Sequence, residues 1–88
     1  MNWWVYIIKC CDGSLYTGIS TDLDRRFQQH RSGKGAKYFR IRQPLEIVYS
    51  EGTYSRHEAS RREVKIKKMS HREKQVLIGS GFASRTIG

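Results

Sequence analysis

A chain of 88 residues allows one domain and one modest core, which excludes a large internal substrate cavity. Seventeen Lys and Arg against eight Asp and Glu give a formal charge of +9, far more than solubility needs, so a polyanionic partner is expected. Nucleic acid is favoured over membrane, because no apolar run approaches the length of a spanning helix.

The N-terminus lacks the basic start and small-residue cleavage site of a signal peptide. Cys10 and Cys11 are adjacent, a poor geometry for a disulfide and too few ligands for zinc. The chain therefore reads as a cytoplasmic protein with reduced thiols, and a monomer is expected.

Trp3 to Lys9 is an apolar strand, Asp12-Gly13 a hairpin signal, and Ser14 to Ser20 a second strand. Loop length decides which side chains share a face. A two-residue loop would pair Cys11 with Ser14 and put Tyr6 and Tyr16 on opposite faces; a three-residue loop, with Gly13 left-handed, pairs Cys10 with Ser14. The second register is the one expected here. It sets Tyr6 opposite Gly18 and Ile8 opposite Tyr16, with both phenols on one face and space above Gly18 for a phosphate or a ring. Val5, Ile7, Leu15, Thr17 and Ile19 then face the core.

Thr21 or Asp22 caps a first helix whose buried stripe is Leu23 and Phe27. Arg26 and His30, four apart, form a polar pair about 60 to 100° around from Phe27. Gly33 is the natural left-handed stop. Lys34 to Arg42 is a basic loop in which Lys34, Lys37, Arg40 and Arg42 interleave with Tyr38 and Phe39. Pro44 opens a third strand, Leu45 to Glu51, with Leu45, Ile47 and Tyr49 alternating against Glu46, Val48 and Ser50. Capping boxes at Ser55/Glu58 and Ser70/Glu73 start a second helix, to about Met69, and a third, to about Ile78, with a break near Ser70. Residues 1–78 make a single domain, and residues 79–88 read as a flexible tail.

On the second helix Ala59, Ile66 and Met69 mark the apolar stripe, and Glu63 falls on the same side. A partly buried acid amid Arg61, Arg62, Lys65, Lys67 and Lys68 needs a cation or donors. Taken singly, each polar group has a plainer reading: a salt bridge to Arg62 or a lysine for Glu63, satisfied aromatics for Tyr6 and Tyr16, solvated surface for Arg26 and His30. Taken together, two phenols, a guanidinium, an imidazole and one carboxylate could hold a phosphodiester.

Trp4-Val5-Tyr6, Tyr16-Thr17-Gly18, Arg26, His30 and Glu63 resemble the GIY-YIG nuclease domain in residue type and spacing. Asp12-Gly13, Asp22 to Arg26 and Gly33 to Tyr38 resemble the small stand-alone bacterial UvrC-like group. The resemblance spans residues 3 to about 78. It departs at Trp4 and Thr17, where the motifs name Gly and Ile, at Ile19, where UvrC carries a lysine, and at Gln75, where several relatives place an asparagine.

The resemblance implies an α+β fold, a small three-stranded antiparallel sheet flanked by helices, and a metal-dependent endonuclease hydrolysing DNA in repair or recombination. It implies a single Mg2+ (or Mn2+) on Glu63, Tyr6 or Tyr16 as the proton acceptor, Arg26 stabilising the pentacovalent phosphate, and His30 positioning or relaying. Gly18, Arg25, Lys34, Lys37, Tyr38, Arg40 and Arg42 are the expected nucleic-acid contacts. The alternative is a nucleic-acid-binding module that keeps the fold without useful activity.

Overall fold

The computed structural model describes residues 2–80. Strands β1 (Trp3–Cys10) and β2 (Leu15–Ser20) are followed by helix α1 (Leu23–Arg31), a 3-10 turn (Lys37–Arg40), strand β3 (Pro44–Tyr54) and helices α2 (Arg56–Lys67) and α3 (His71–Ser80). The three strands form one antiparallel sheet in the order β2-β1-β3, so the most apolar strand is central. The C-terminal tail expected from residue 79 falls, from residue 81 onward, outside the described residues; Gly79 and Ser80 belong to α3.

The hairpin adopts the three-residue loop. Gly13 has φ +86, its N–H bonds the Cys10 carbonyl at 2.9 Å, and the Cys10 N–H bonds the Ser14 carbonyl at 2.9 Å. Asp12 Oδ1 accepts from the Ser14 N–H at 3.0 Å and from its hydroxyl at 2.6 Å, which fixes the turn. The register follows, with Tyr6 opposite Gly18 and Ile8 opposite Tyr16.

Both faces of the sheet are covered. Val5, Ile7, Leu15 and Tyr49 pack with Ala59 and Ile66 of α2 on one side. Tyr6, Ile8 and Cys10 pack with Phe39 on the other, beneath Leu23 and Phe27 of α1. The face expected to stay open around Tyr6 is thus a second core, because α1 and the 3-10 turn fold back over it. Thr17 carries a buried hydroxyl with no hydrogen-bond partner among the described residues, at the place where the motif names Ile.

The third strand departs from simple alternation. Ile7 pairs with Tyr49 but Ile8 pairs with Ile47, so Val48 is the extra residue of a bulge. The bulge sends Ile47 to the Tyr6 side and Tyr49 to the α2 side, and Leu45 is 54% exposed. The strand also runs on to Tyr54 through a second register shift, between Trp3 and Val5, and a third lies at its Pro44 end, between Lys9 and Cys10. Both capping boxes form, with Ser55 and Glu58 opening α2 and Ser70 and Glu73 opening α3.

Candidate active site

Tyr6 lies on the central strand and is 1% exposed. Its phenol crosses the neighbouring strand at Gly18, where a Cβ would stand 2.5 Å from the Tyr6 hydroxyl and 3.1 Å from the Tyr16 ring. Glycine is required there because the space expected for a phosphate is filled by Tyr6 itself. The Tyr16 ring sits 6.4 Å from Tyr6, 5.4 Å from His30 and 4.7 Å from Phe39, centroid to centroid. Tyr16 keeps partial exposure, so it is the phenol nearer solvent.

His30 is fully buried in the last turn of α1, rather than at the helix edge where its spacing placed it. Its Nε2 lies 2.9 Å from the Tyr6 hydroxyl, and its Nδ1 accepts the Ala36 N–H at 3.3 Å. A backbone N–H can only donate, so Nδ1 carries the lone pair and the proton of the neutral ring is assigned to Nε2. The Tyr6 oxygen is therefore the acceptor. Gly33, at φ +82, turns the chain back after α1, and a Cβ at Gly35 would overlap His30 Nδ1. Burial, aided by the Arg26 charge, pushes the His30 pKa down to about 4, so the ring is neutral near pH 7.

Arg26 projects from α1 one turn before His30, and its Nη1 donates to Gln29 Oε1 at 3.0 Å. Burial raises the Tyr6 pKa to about 12; hydrogen bonding and charge from Arg26 oppose this, while the charges of Tyr16 and Glu63 add to it. His30 is thus the hydrogen-bonded partner of the phenol oxygen, and Arg26 favours its ionised form. Burial still outweighs them.

Glu63 stands on α2, across the sheet from α1, yet its charge reaches the Tyr6 hydroxyl. The five motif residues therefore come from both helical layers, with Tyr6 and His30 buried beneath the surface rather than lining a shallow one. The Glu63 side chain is 20% exposed and pairs with Lys67 Nζ at 3.3 Å. No group of three or more His, Cys, Asp or Glu gathers among the described residues, so a dehydrated, zinc-type site does not fit. One half-buried carboxylate suits a magnesium ion that keeps most of its water.

Arg25, Lys34, Lys37 and Arg40 are exposed. Arg42 is engaged: its Nε pairs with Asp12 at 3.2 Å and its guanidinium stacks on Tyr38 at 4.5 Å. Tyr38 in turn packs edge-on against Phe39, 5.4 Å away, and Phe39 is core rather than part of a basic loop. Sequence reasoning missed Gln29, Gly35 and Ala36. Gln29, three residues after Arg26, carried a usable signal, since side chains at that spacing meet on a helix.

A family model described as the GIY-YIG catalytic domain matches residues 2–75. The chain is 50% identical over 78 residues to UPF0213 protein BH0048 of Halalkalibacterium halodurans, covering 89% of this chain and 83% of that one. It is 46% identical over 83 residues to UPF0213 protein YhbQ of Escherichia coli, covering 92% and 83%. Among solved structures, the NMR structure of BH0048 from Bacillus halodurans is similar at a TM-score of 0.57 with 49% identity, covering 90% of this chain and 84% of that one. That of EF2693 from E. faecalis reaches a TM-score of 0.62 with 32% identity, covering 91% and 85%.

Proposed function

Since the chain belongs to the GIY-YIG catalytic domain family, we propose that it is a metal-dependent endonuclease hydrolysing phosphodiester bonds, with DNA as the substrate. The observation that carries this reading is the buried hydrogen bond from His30 to the Tyr6 oxygen, with Arg26 one turn before His30 on α1 and its charge opposing the rise in the Tyr6 pKa. A donor on the phenol oxygen and a guanidinium charge both favour the phenolate that a proton acceptor must become.

Hydrolysis requires water to attack phosphorus and the bond to the 3′ oxygen to break, leaving a 5′ phosphate and a 3′ hydroxyl. The water's proton goes to Tyr6 or Tyr16, and the departing 3′ oxygen takes a proton from solvent. Arg26 neutralises charge gathering on the phosphate oxygens. His30, held neutral with its proton on Nε2, positions the Tyr6 oxygen and does not relay a proton. With its pKa near 12, Tyr6 needs added positive charge before it can act near pH 7. Glu63 would hold the magnesium ion, which supplies that charge and a Lewis acid for the phosphate. The exposed Arg25, Lys34, Lys37 and Arg40 bind the flanking backbone.

The second reading is a nucleic-acid-binding module of the same fold, and the Glu63–Lys67 ion pair favours it, since it satisfies the carboxylate without a metal. Labelled single-stranded, duplex, flap and nicked DNA, incubated with magnesium or manganese, separates the two. The nuclease cleaves at least one substrate, and Arg26→Ala abolishes cleavage with a modest loss of affinity. If the wild-type protein binds these substrates and cuts none, the binding module takes its place.

A further inference from the structure

Beside Arg26, at the open end of the hairpin, lies a hollow of about 280 Å³ walled by Trp3, Ser20, Asp22, Arg25, Arg26 and Gln29. We propose that this hollow is a subsite for a single unpaired nucleotide, whose base stacks on Trp3 while Arg26 holds its phosphate. The proposal takes from the nuclease reading only which phosphate is involved.

The hollow is just smaller than the pockets that hold drug-sized molecules, which run to about 300–1,000 Å³. It admits one base with its sugar. The walls have the mixed chemistry a nucleotide needs. Trp3 is a partly exposed indole packed against the α2-side core, and the Arg56 guanidinium lies over its ring at 5.5 Å from the centroid, fixing it as one wall. Arg25 and Arg26 supply positive charge for phosphate. Asp22, whose Oδ1 caps α1 by accepting the Arg25 N–H at 3.1 Å, has a second carboxylate oxygen for the donor edge of a base, and Gln29 has its amide N–H groups for an acceptor edge. A site for a free inorganic anion would have no use for an aromatic wall or for a carboxylate among its cations.

Arg26 ties the hollow to the candidate active site, because it lines the hollow and stands one turn before His30, the hydrogen-bonded partner of Tyr6. Gln29 Oε1 accepts from Arg26 Nη1 at 3.0 Å and so fixes how the guanidinium is shared between the two. A phosphate held by Arg26 therefore leaves its own nucleotide next to Trp3. A base paired within a duplex must first leave its stack, at a cost of about a few kcal/mol. Single strands, flaps and junctions offer such a nucleotide without that cost.

The test uses Trp4→Phe, which leaves Trp3 as the sole tryptophan of two, in chelator so that nothing is cut. A single-stranded oligonucleotide quenches Trp3 fluorescence on binding; blunt duplex of the same sequence and inorganic phosphate do not. Trp3→Leu loses about tenfold in single-strand affinity, the effect of one base stack, with duplex affinity unchanged and the fold checked by circular dichroism. Single-strand binding without quenching, equal quenching by duplex, or wild-type single-strand affinity in Trp3→Leu overturns the subsite. Adding magnesium to Trp4→Phe then tells the two ideas apart. Cleavage without quenching removes the subsite and leaves the nuclease; quenching without cleavage keeps the subsite and removes the nuclease.

Discussion

The sheet carries a buried polar cluster on each face, and the two are built to opposite plans. On the α2 side Glu51, 8% exposed, accepts from the Tyr49 hydroxyl, from Tyr54 Oη at 2.5 Å, and from Arg62 Nε at 2.6 Å and Nη2 at 3.1 Å. Four donors saturate one carboxylate, which has no acceptor site left to offer. On the α1 side His30 donates to a phenol rather than to a carboxylate, and the Arg26 and Glu63 charges act on that phenol in opposite directions. A closed network adds stability and specifies the fold. An open one holds unspent donors, which is the condition for taking a ligand.

The sharpest way to break this contrast is to remove one carboxylate from each side. Glu63→Ala should lower cleavage by at least about a hundredfold while DNA affinity holds or rises, since the metal stabilises the transition state and a negative charge leaves a basic surface. Glu51→Ala strands Arg62 and two phenols and should destabilise by roughly 3 kcal/mol, read by denaturant unfolding. Cleavage below the melting range should persist in that variant. Wild-type cleavage in Glu63→Ala, with contaminating nuclease excluded, would end the metal assignment; loss of activity without loss of stability in Glu51→Ala would erase the distinction between the clusters.

The same contrast separates them in pH. His30 has a folded pKa of about 4 against 6.5 ordinarily. A lowered histidine is protonated first in the unfolded chain, so its contribution to stability is full above pH 6.5 and is lost as pH falls toward 4. For Glu51, burial pushes the pKa up, but bonds from Arg62, Tyr49 and Tyr54 prevail and hold it below 4.5, so its contribution fades only below that. Gly35→Ala tests the His30 part. The new Cβ must displace the ring from the Ala36 N–H, so the histidine pKa should rise and the acid slope between pH 6.5 and 4 should flatten. Nitrogen-15 spectra at neutral pH should show Nε2–H in the parent and a tautomer mixture in Gly35→Ala. An unchanged tautomer would show that something other than Ala36 fixes the ring.

The legible parts of the molecule are those fixed by local chemistry. Gly13 and the alternation around Tyr6 and Tyr16 determine the hairpin register, and two capping boxes place both C-terminal helices, because each signal acts over a few residues. What escaped depends on contacts made far along the chain. The Val48 bulge arises from pairing with β1, and no pattern inside the third strand reports it. His30 reads as a helix-edge residue until residues 35–39 fold back over it, and Gly18 reads as open space until the Tyr6 phenol is laid across it. Glu51 ends an ordinary alternation, and only packing against α2 brings Arg62 to it, eleven residues on. The motif residues were visible by type and spacing; their depth was not.

The smallest effect extends the contrast to the basic loop. Arg40 and Arg42 are two residues apart, and their sequence gives no reason to rank them. Arg40 is exposed, so its guanidinium can meet a phosphate and release a counterion. Arg42 already pairs with Asp12 and stacks on Tyr38, so binding DNA would trade one ionic partner for another. Plotted as log affinity against log salt for duplex DNA, each phosphate contact contributes a slope of about −0.9. Arg40→Ala should therefore flatten the slope by about one contact, with stability unchanged. Arg42→Ala should leave the slope near the parent value and instead lower the thermal midpoint slightly, as an exposed ion pair with a cation–π contact is lost. Equal slope changes in the two variants would mean that Arg42 abandons Asp12 on binding, and that the hairpin turn belongs to the DNA-contacting surface.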